Sequence, residues 1–221
     1  MSELKELLSF QKIDVLRGET TILRDVTLNL HNAELVFILG ASGSGKSSFL
    51  KSVYGALEIQ GNYSRVLGYD LTSIKRSELQ FLRRKLGLVF QDFKIFEKLT
   101  VFENLNYFLR SINIKNEEAI RVILDKVGLG HKTDKRGFEL SGGEKQRLAV
   151  ARALVHKPQI ILADEPTGNL NKTMGIEIFK LLRDLAIDQG SSIIAATHDE
   201  ALTSIFSAKV FLCENQRFTR I

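Results

Sequence analysis

Eight consecutive residues, Gly40-Ala41-Ser42-Gly43-Ser44-Gly45-Lys46-Ser47, restrict what this chain can fold into more than any other part of it. They follow the pattern G-x-x-x-x-G-K-[ST], whose glycines let backbone N–H groups turn inward around phosphate oxygens. Upstream, the run from Glu34 to Gly40 is apolar from Leu35 to Leu39, as a central parallel strand covered on both faces should be. Downstream, Phe49, Leu50 and Val53 form one stripe at helical spacing. Strand, glycine loop and helix is the order a phosphate site needs, because the new helix turns its positive end toward the same anion. Residues 40–48, Ser48 included, are therefore the expected nucleotide cradle, with Lys46 as the charge on the β/γ-phosphates and the Ser47 hydroxyl on Mg²⁺. The Lys-Ser ending and the glycine spacing exclude a dinucleotide fingerprint.

A triphosphate site needs an acidic partner for its metal. Ile160-Ile-Leu-Ala-Asp164-Glu165 supplies one, since the apolar run sets Asp164 at the carboxyl end of a buried strand. Glu165 then falls beside the γ-phosphate, where a carboxylate can polarise or orient the attacking water. Two adjacent acids alone would mark only a strand-ending turn. The upstream phosphate loop is what makes them a metal ligand and a catalytic base.

Leu140-Ser-Gly-Gly-Glu-Lys-Gln-Arg147 resembles the signature motif of the ATP-binding-cassette (ABC) ATPases, a motif other phosphate-loop classes lack. Ser141 and the amides of Gly142 and Gly143 open a helix and make a second anion site in the same chain. Two half-sites for one triphosphate suggest a head-to-tail, ATP-dependent homodimer, with each ATP between the phosphate loop of one copy and the signature of the other. The resemblance implies two further roles. Gln91, closing Leu86-Gly-Leu-Val-Phe-Gln, is similar to the glutamine that reaches the metal and the attacking water. His198, after Ile193-Ile-Ala-Ala-Thr197, is similar to the switch histidine on the γ-phosphate.

Two positions depart from the family pattern. The adenine normally stacks on an aromatic about 24 residues before the phosphate loop. Here Leu16 is the expected counterpart and offers apolar contact only, so GTP is expected to compete within about tenfold of ATP. The loop Gly168-Asn169-Leu170-Asn171 ends in asparagine where the family usually has aspartate, which puts the coupling between the two sites in question.

The expected fold is α/β: a P-loop NTPase core of ABC type with an antiparallel β subdomain and a helical subdomain. Near-alternate apolar residues (Leu8, Phe10, Ile13, Val15, then Val26, Leu28, Leu30) predict a half-buried antiparallel sheet in the first 40 residues. Between Lys75 and Gly137 helical signals dominate. Thr100 with Glu103 reads as a capping box, as does Ser141 with Glu144, and Asn116 opens another helix that stops at Gly128. From Gln159 strands and helices alternate, down to a terminal strand around Val210–Leu212. One domain, 1–221, is expected, with an α/β core over 1–90 and 141–221 and a helical lobe over about 92–140.

Composition narrows the setting. Two prolines in 221 residues leave little room for a linker, and the single cysteine, Cys213, cannot form an internal disulfide. The chain opens without a secretory leader, so a reducing cytosol is expected. No run approaches the roughly 20 apolar residues that span a bilayer, so a membrane role must come through a partner. The net charge of +5 reads as a solvated basic surface, because no basic stretch is interleaved with aromatics as single-strand binding would require, and no nucleic-acid partner is expected.

Within the family, the stretch Phe81–Lys94 and Asp164-Glu-Pro-Thr-Gly-Asn-Leu170 resemble the FtsE-like cell-division ATPases. That resemblance implies ATP and Mg²⁺ as cofactors, an FtsX-like transmembrane subunit and other division proteins as partners, control of cell-wall hydrolysis, and a peripheral place on the cytoplasmic face of the plasma membrane. An ATPase of the lipoprotein-release or macrolide-efflux type is the alternative. An ATP-dependent scaffold with little turnover is a third reading, which the intact Glu165 and His198 oppose. Phe93, Ile95 and Phe96 make the stretch after Gln91 apolar, and Phe93 and Phe96 are expected to help form the groove that receives the membrane partner.

Overall fold

In the computed structural model, which describes residues 5–221, two sheets share the chain. Residues 1–4 of the expected core lie outside the described residues. Strands β1 (Glu6–Arg17) and β2 (Thr20–His31) form a long hairpin. After it come β3 (Leu35–Leu39), helix α1 (Lys46–Val53), β4 (Glu58–Val66), β5 (Tyr69–Asp70), α2 (Arg76–Arg83) and β6 (Leu86–Phe90). Helices α3 (Val101–Ser111), α4 (Glu117–Lys126) and α5 (Gly142–Leu154) follow. The chain closes with β7 (Ile160–Asp164), α6 (Lys172–Gln189), β8 (Ser192–Thr197), α7 (Glu200–Ile205), β9 (Lys209–Glu214) and β10 (Arg217–Arg220).

The antiparallel sheet has the order β2-β1-β4-β5, and the larger sheet the order β10-β9-β3-β8-β7-β6. In the larger sheet β9, β3, β8, β7 and β6 run parallel, and only the edge strand β10 is reversed. Continuous apolar runs suit β3 and β7 because both faces are covered. Phe37 points into the core shared with α5 and α6, whereas Val36 and Ile38 point into the core shared with α1 and the antiparallel sheet. Phe37 stacks on Phe179 of α6 at 5.2 Å between ring centroids, and Phe49 of α1 on Phe218 of β10 at 4.8 Å.

The helical segment keeps no separate core. Leu105 and Leu109 of α3 and Ile120, Ile123 and Leu124 of α4 join the cluster that contains Phe37 and Leu148. Their caps form as the local chemistry demands. Thr100 Oγ1 accepts from Glu103 N at 3.1 Å, Glu103 Oε2 accepts from Thr100 N at 2.8 Å, and Asn116 caps α4 by accepting from Ala119 N at 2.9 Å.

Two elements went beyond the sequence reading. The antiparallel sheet extends past residue 40 through β4, whose polar sequence hides a strand held by pairing to β1. The chain also ends in a hairpin rather than one strand. Its two-residue turn places Asn215 and Gln216 at φ +50° and +63°, as a type I′ turn requires. Glutamine at the second position conceals that turn, since glycine is its usual occupant.

The strand order is what builds the site. Leu39 pairs with Thr197, Asp164 with Ala196, and Phe90 with Asp164, so four parallel strands end side by side on one edge. Ligands of open α/β sheets bind at that edge. Among the described residues no helix is long and apolar enough to cross a membrane.

Candidate active site

A cleft of about 360 Å³ opens at that edge, between the phosphate loop and the residues that follow β6, β7 and β8. Ser42, Gly43, Gly45, Lys46, Ser47 and Ser48 line it on one side, and Gln91, Glu165 and His198 on the other. The loop's shape depends on glycine. Gly43 and Gly45 have φ of +81° and +115°, and a side chain on Gly40 would collide with the Cys213 carbonyl oxygen. Ser44 Oγ is buried within this loop and has no hydrogen-bond partner among the described residues.

Lys46 is only 5% exposed. Its Nζ donates to the carbonyls of Gly40 and Ala41 at 2.8 and 3.0 Å and lies 3.3 Å from Glu165 Oε1. Ser47 Oγ donates to Asp164 Oδ1 at 2.8 Å. Burial pushes the Asp164 carboxyl above the usual carboxylate range and the charge of Glu165 adds to this, while the Ser47 hydroxyl and the ammoniums of Lys51 and Lys46 oppose it.

Glu165 occupies the left-handed region at φ +46°, a conformation that costs on the order of 1–3 kcal/mol in a residue with a side chain. Its N–H donates to Ala196 O at 2.9 Å, carrying the β7–β8 ladder one residue further and holding the turn in place. The carboxylate is thereby set between Lys46 and His198, whose Nδ1 lies 2.9 Å from Glu165 Oε2. Gln91 is exposed at the end of β6, and its backbone carbonyl accepts from Asn169 Nδ2 at 2.7 Å.

The donor set fits MgATP. The glycine cradle, the buried lysine and the unpartnered Ser44 hydroxyl suit phosphate oxygens, and the Ser47–Asp164 pair offers hard oxygen ligands. Among the described residues no group of three or more His, Cys, Asp or Glu could hold a metal alone. The Ser47–Asp164 pair suits Mg²⁺ that takes its remaining ligands from phosphates and water.

Ser141, Gly142 and Gly143 do not line this cleft. Ser141 caps α5, and Glu144 Oε2 accepts from Ser141 N and Oγ, both at 2.9 Å. The segment Ser141–Gly143 and the phosphate loop thus lie apart in one chain. Leu16, expected beside the base, is half-buried and does not line the cleft, whose wall there is formed by Arg17 and Ile22. Side chains alternate along a strand. Arg17 shares the face of Ile13 and Val15, both fully buried over α1, and Leu16 points the other way.

A second groove, of about 480 Å³, lies against β6. Leu86, Leu88 and Phe90 form its floor, and Phe96 and Tyr107 stand at its rim with their rings 4.9 Å apart. Of the two phenylalanines expected there, only Phe96 lines it. Ile95 packs on the core, and half-buried Phe93 turns a carbonyl to Arg152 Nη2 at 2.9 Å.

Residues 23–168 match the family model for ABC transporters. The chain is 41% identical over 204 residues to the cell division ATP-binding protein FtsE of Streptococcus pneumoniae serotype 2, covering 91% of this chain and 88% of that protein. Among solved structures it resembles cbiO1 of Clostridium perfringens, part of an ABC transporter complex, with a TM-score of 0.85 and 29% identity over 97% of this chain and 87% of that one. It also resembles the ATP-binding cassette MJ0796, a dimer bound to ADP and Pi, with a TM-score of 0.81 and 28% identity over 96% of each chain. The chain belongs to the ABC transporter family and is an ABC ATPase similar to the FtsE cell-division proteins.

Proposed function

We propose that the chain hydrolyses ATP as a head-to-tail homodimer on the cytoplasmic face of a membrane and passes the resulting movement to an FtsX-like transmembrane subunit that controls cell-wall hydrolysis. The observation that carries this reading is the adjacency of the two cavities. Phe90 lines the groove on β6, and the next residue, Gln91, lines the nucleotide cleft. Whatever fills the groove therefore bears on the site through one peptide bond. Phe96 and Tyr107 are 45% and 57% exposed, and exposed aromatics on an apolar trough suit the docking of a partner's helix.

Within the cleft, Lys46 and the loop amides hold the phosphates, and Ser141, Gly142 and Gly143 of a second copy close over them. Ser47 and Asp164, with Gln91, would hold Mg²⁺, which would supply positive charge to the phosphates. Glu165 accepts the proton of the attacking water or orients it, and His198 fixes the carboxylate from its far side.

Two variants test the reading. Glu165→Gln is expected to keep ATP binding, lose on the order of 100-fold or more in turnover, and accumulate as an ATP-bound dimer on sizing. Phe96→Ala with Tyr107→Ala is expected to bind ATP normally and to lose co-purification with the transmembrane subunit. A Glu165→Gln chain that binds ATP only as a monomer removes the two-site sandwich. Unchanged co-purification moves the docking site elsewhere.

A further inference from the structure

We infer that Arg17 holds the nucleotide base, its planar guanidinium stacking on the ring in the place an aromatic side chain would take. Three observations converge. First, among the described residues Arg17 and Ile22 are the only cleft residues drawn from the β1–β2 hairpin; the rest belong to the phosphate loop, the first turn of α1 or the segments after β6, β7 and β8. The triphosphate is committed to the loop and Lys46, so the nucleoside end has the hairpin as its remaining wall.

Second, the hairpin is irregular at this point. Val15 pairs with Leu23 but Leu16 with Thr21, which leaves Ile22 as the extra residue of a bulge. Bulges re-aim side chains, and this one turns Ile22 into the cleft beside Arg17. A flat cation and an aliphatic side chain on one wall suit a base, which is apolar on its faces.

Third, the guanidinium is held. Its Nη2 donates to Ser48 Oγ at 3.1 Å, and Ser48 is itself buried in the first turn of α1. A fixed side chain loses less conformational freedom on binding. Guanidinium planes stack on bases and are weakly hydrated, whereas an ammonium is a strongly hydrated point charge. Stacking tolerates base identity, so GTP should still compete closely with ATP.

The rival role for Arg17 is a second phosphate cation, and the test separates the two. The full chain and its variants are titrated calorimetrically with MgATP and with magnesium tripolyphosphate, which lacks a base. Arg17→Ala is expected to weaken ATP roughly tenfold and to leave tripolyphosphate within about twofold. Arg17→Tyr is expected to restore ATP binding and Arg17→Lys to fail. Equal loss for both ligands, full rescue by lysine, or no effect on ATP would each overturn the assignment. Arg17 is exposed at a strand end, and unfolding midpoints of the three variants check that each is folded.

Discussion

Asn169 and Gln91, which follow neighbouring strands of the parallel sheet, are tied by their side chains. Asn169 Nδ2 donates to Gln91 O at 2.7 Å, and Gln91 Nε2 reaches Asn169 Oδ1 at 3.5 Å. Gly168 leaves room for this, since a Cβ there would lie 3.0 Å from Gln91 Nε2. The segment after β7 and the segment after β6 are thereby clamped together beside the cleft. Asn169→Ala removes a hydrogen bond of about 0.5–1.5 kcal/mol. If the clamp positions Gln91 for turnover, kcat should fall roughly two- to tenfold with little change in ATP affinity. An unchanged kcat would assign the pair to loop structure alone.

Asn171 replaces the family's usual aspartate, and in the fold it is the N-cap of α6, its Oδ1 accepting from Met174 N at 3.0 Å. Asparagine and aspartate cap about equally well. Asn171→Asp should therefore leave stability unchanged within about 0.5 kcal/mol, whereas Asn171→Ala should cost about 1 kcal/mol. Urea unfolding separates the two. Any effect of the aspartate variant on ATP turnover then reports charge between the sites rather than a damaged helix.

Glu144, in the first turn of the signature helix, has its pKa lowered from 4.5 to about 2, first by the Lys132 ammonium at 2.5 Å and then by the Ser141 N–H, against the opposing effect of burial. The folded value lies below the unfolded one, so the carboxylate's contribution is fully present above pH 4.5 and is lost as pH falls toward 2. Lys132→Met should flatten the acid limb of the stability curve in that window, where one proton is worth about 1.4 kcal/mol per pH unit at most. Parallel acid limbs in wild type and variant would mean that the ion pair contributes nothing.

Gly87 lies in β6 under α5, and a Cβ there would overlap the Ala153 carbonyl oxygen and come within 3.0 Å of the Pro158 ring. Neither neighbour is a flexible side-chain tip, so the strand or the helix must shift. Gly87→Ala is expected to destabilise the fold by about 1–3 kcal/mol, read as a lower unfolding midpoint. Because β6 carries the groove floor and leads into Gln91, the same variant should weaken partner docking before it weakens ATP binding.

What could be read along the chain was what depends on neighbours in sequence. The phosphate loop needs its glycines, lysine and serine within eight residues. The capping boxes at Thr100 and Ser141 each close over three positions. An apolar run ending in Asp164-Glu165 announces a buried strand and its outlet without further context. Tertiary structure decided everything that turns on which strand lies beside which. Ser47 and Asp164 are 117 positions apart and meet at 2.8 Å because β8 slots between β3 and β7. The groove on β6 is walled by residues far apart in sequence, Gln80 and Arg83 from α2, Tyr107 from α3 and Arg152 from α5, with Phe96 on its wall and Phe93 off it. Leu16 against Arg17 is the sharpest case. Counting back from the phosphate loop selects Leu16, but a side chain's face alternates with every residue and shifts at a bulge, so only the paired hairpin could assign that wall of the cleft to Arg17 and Ile22.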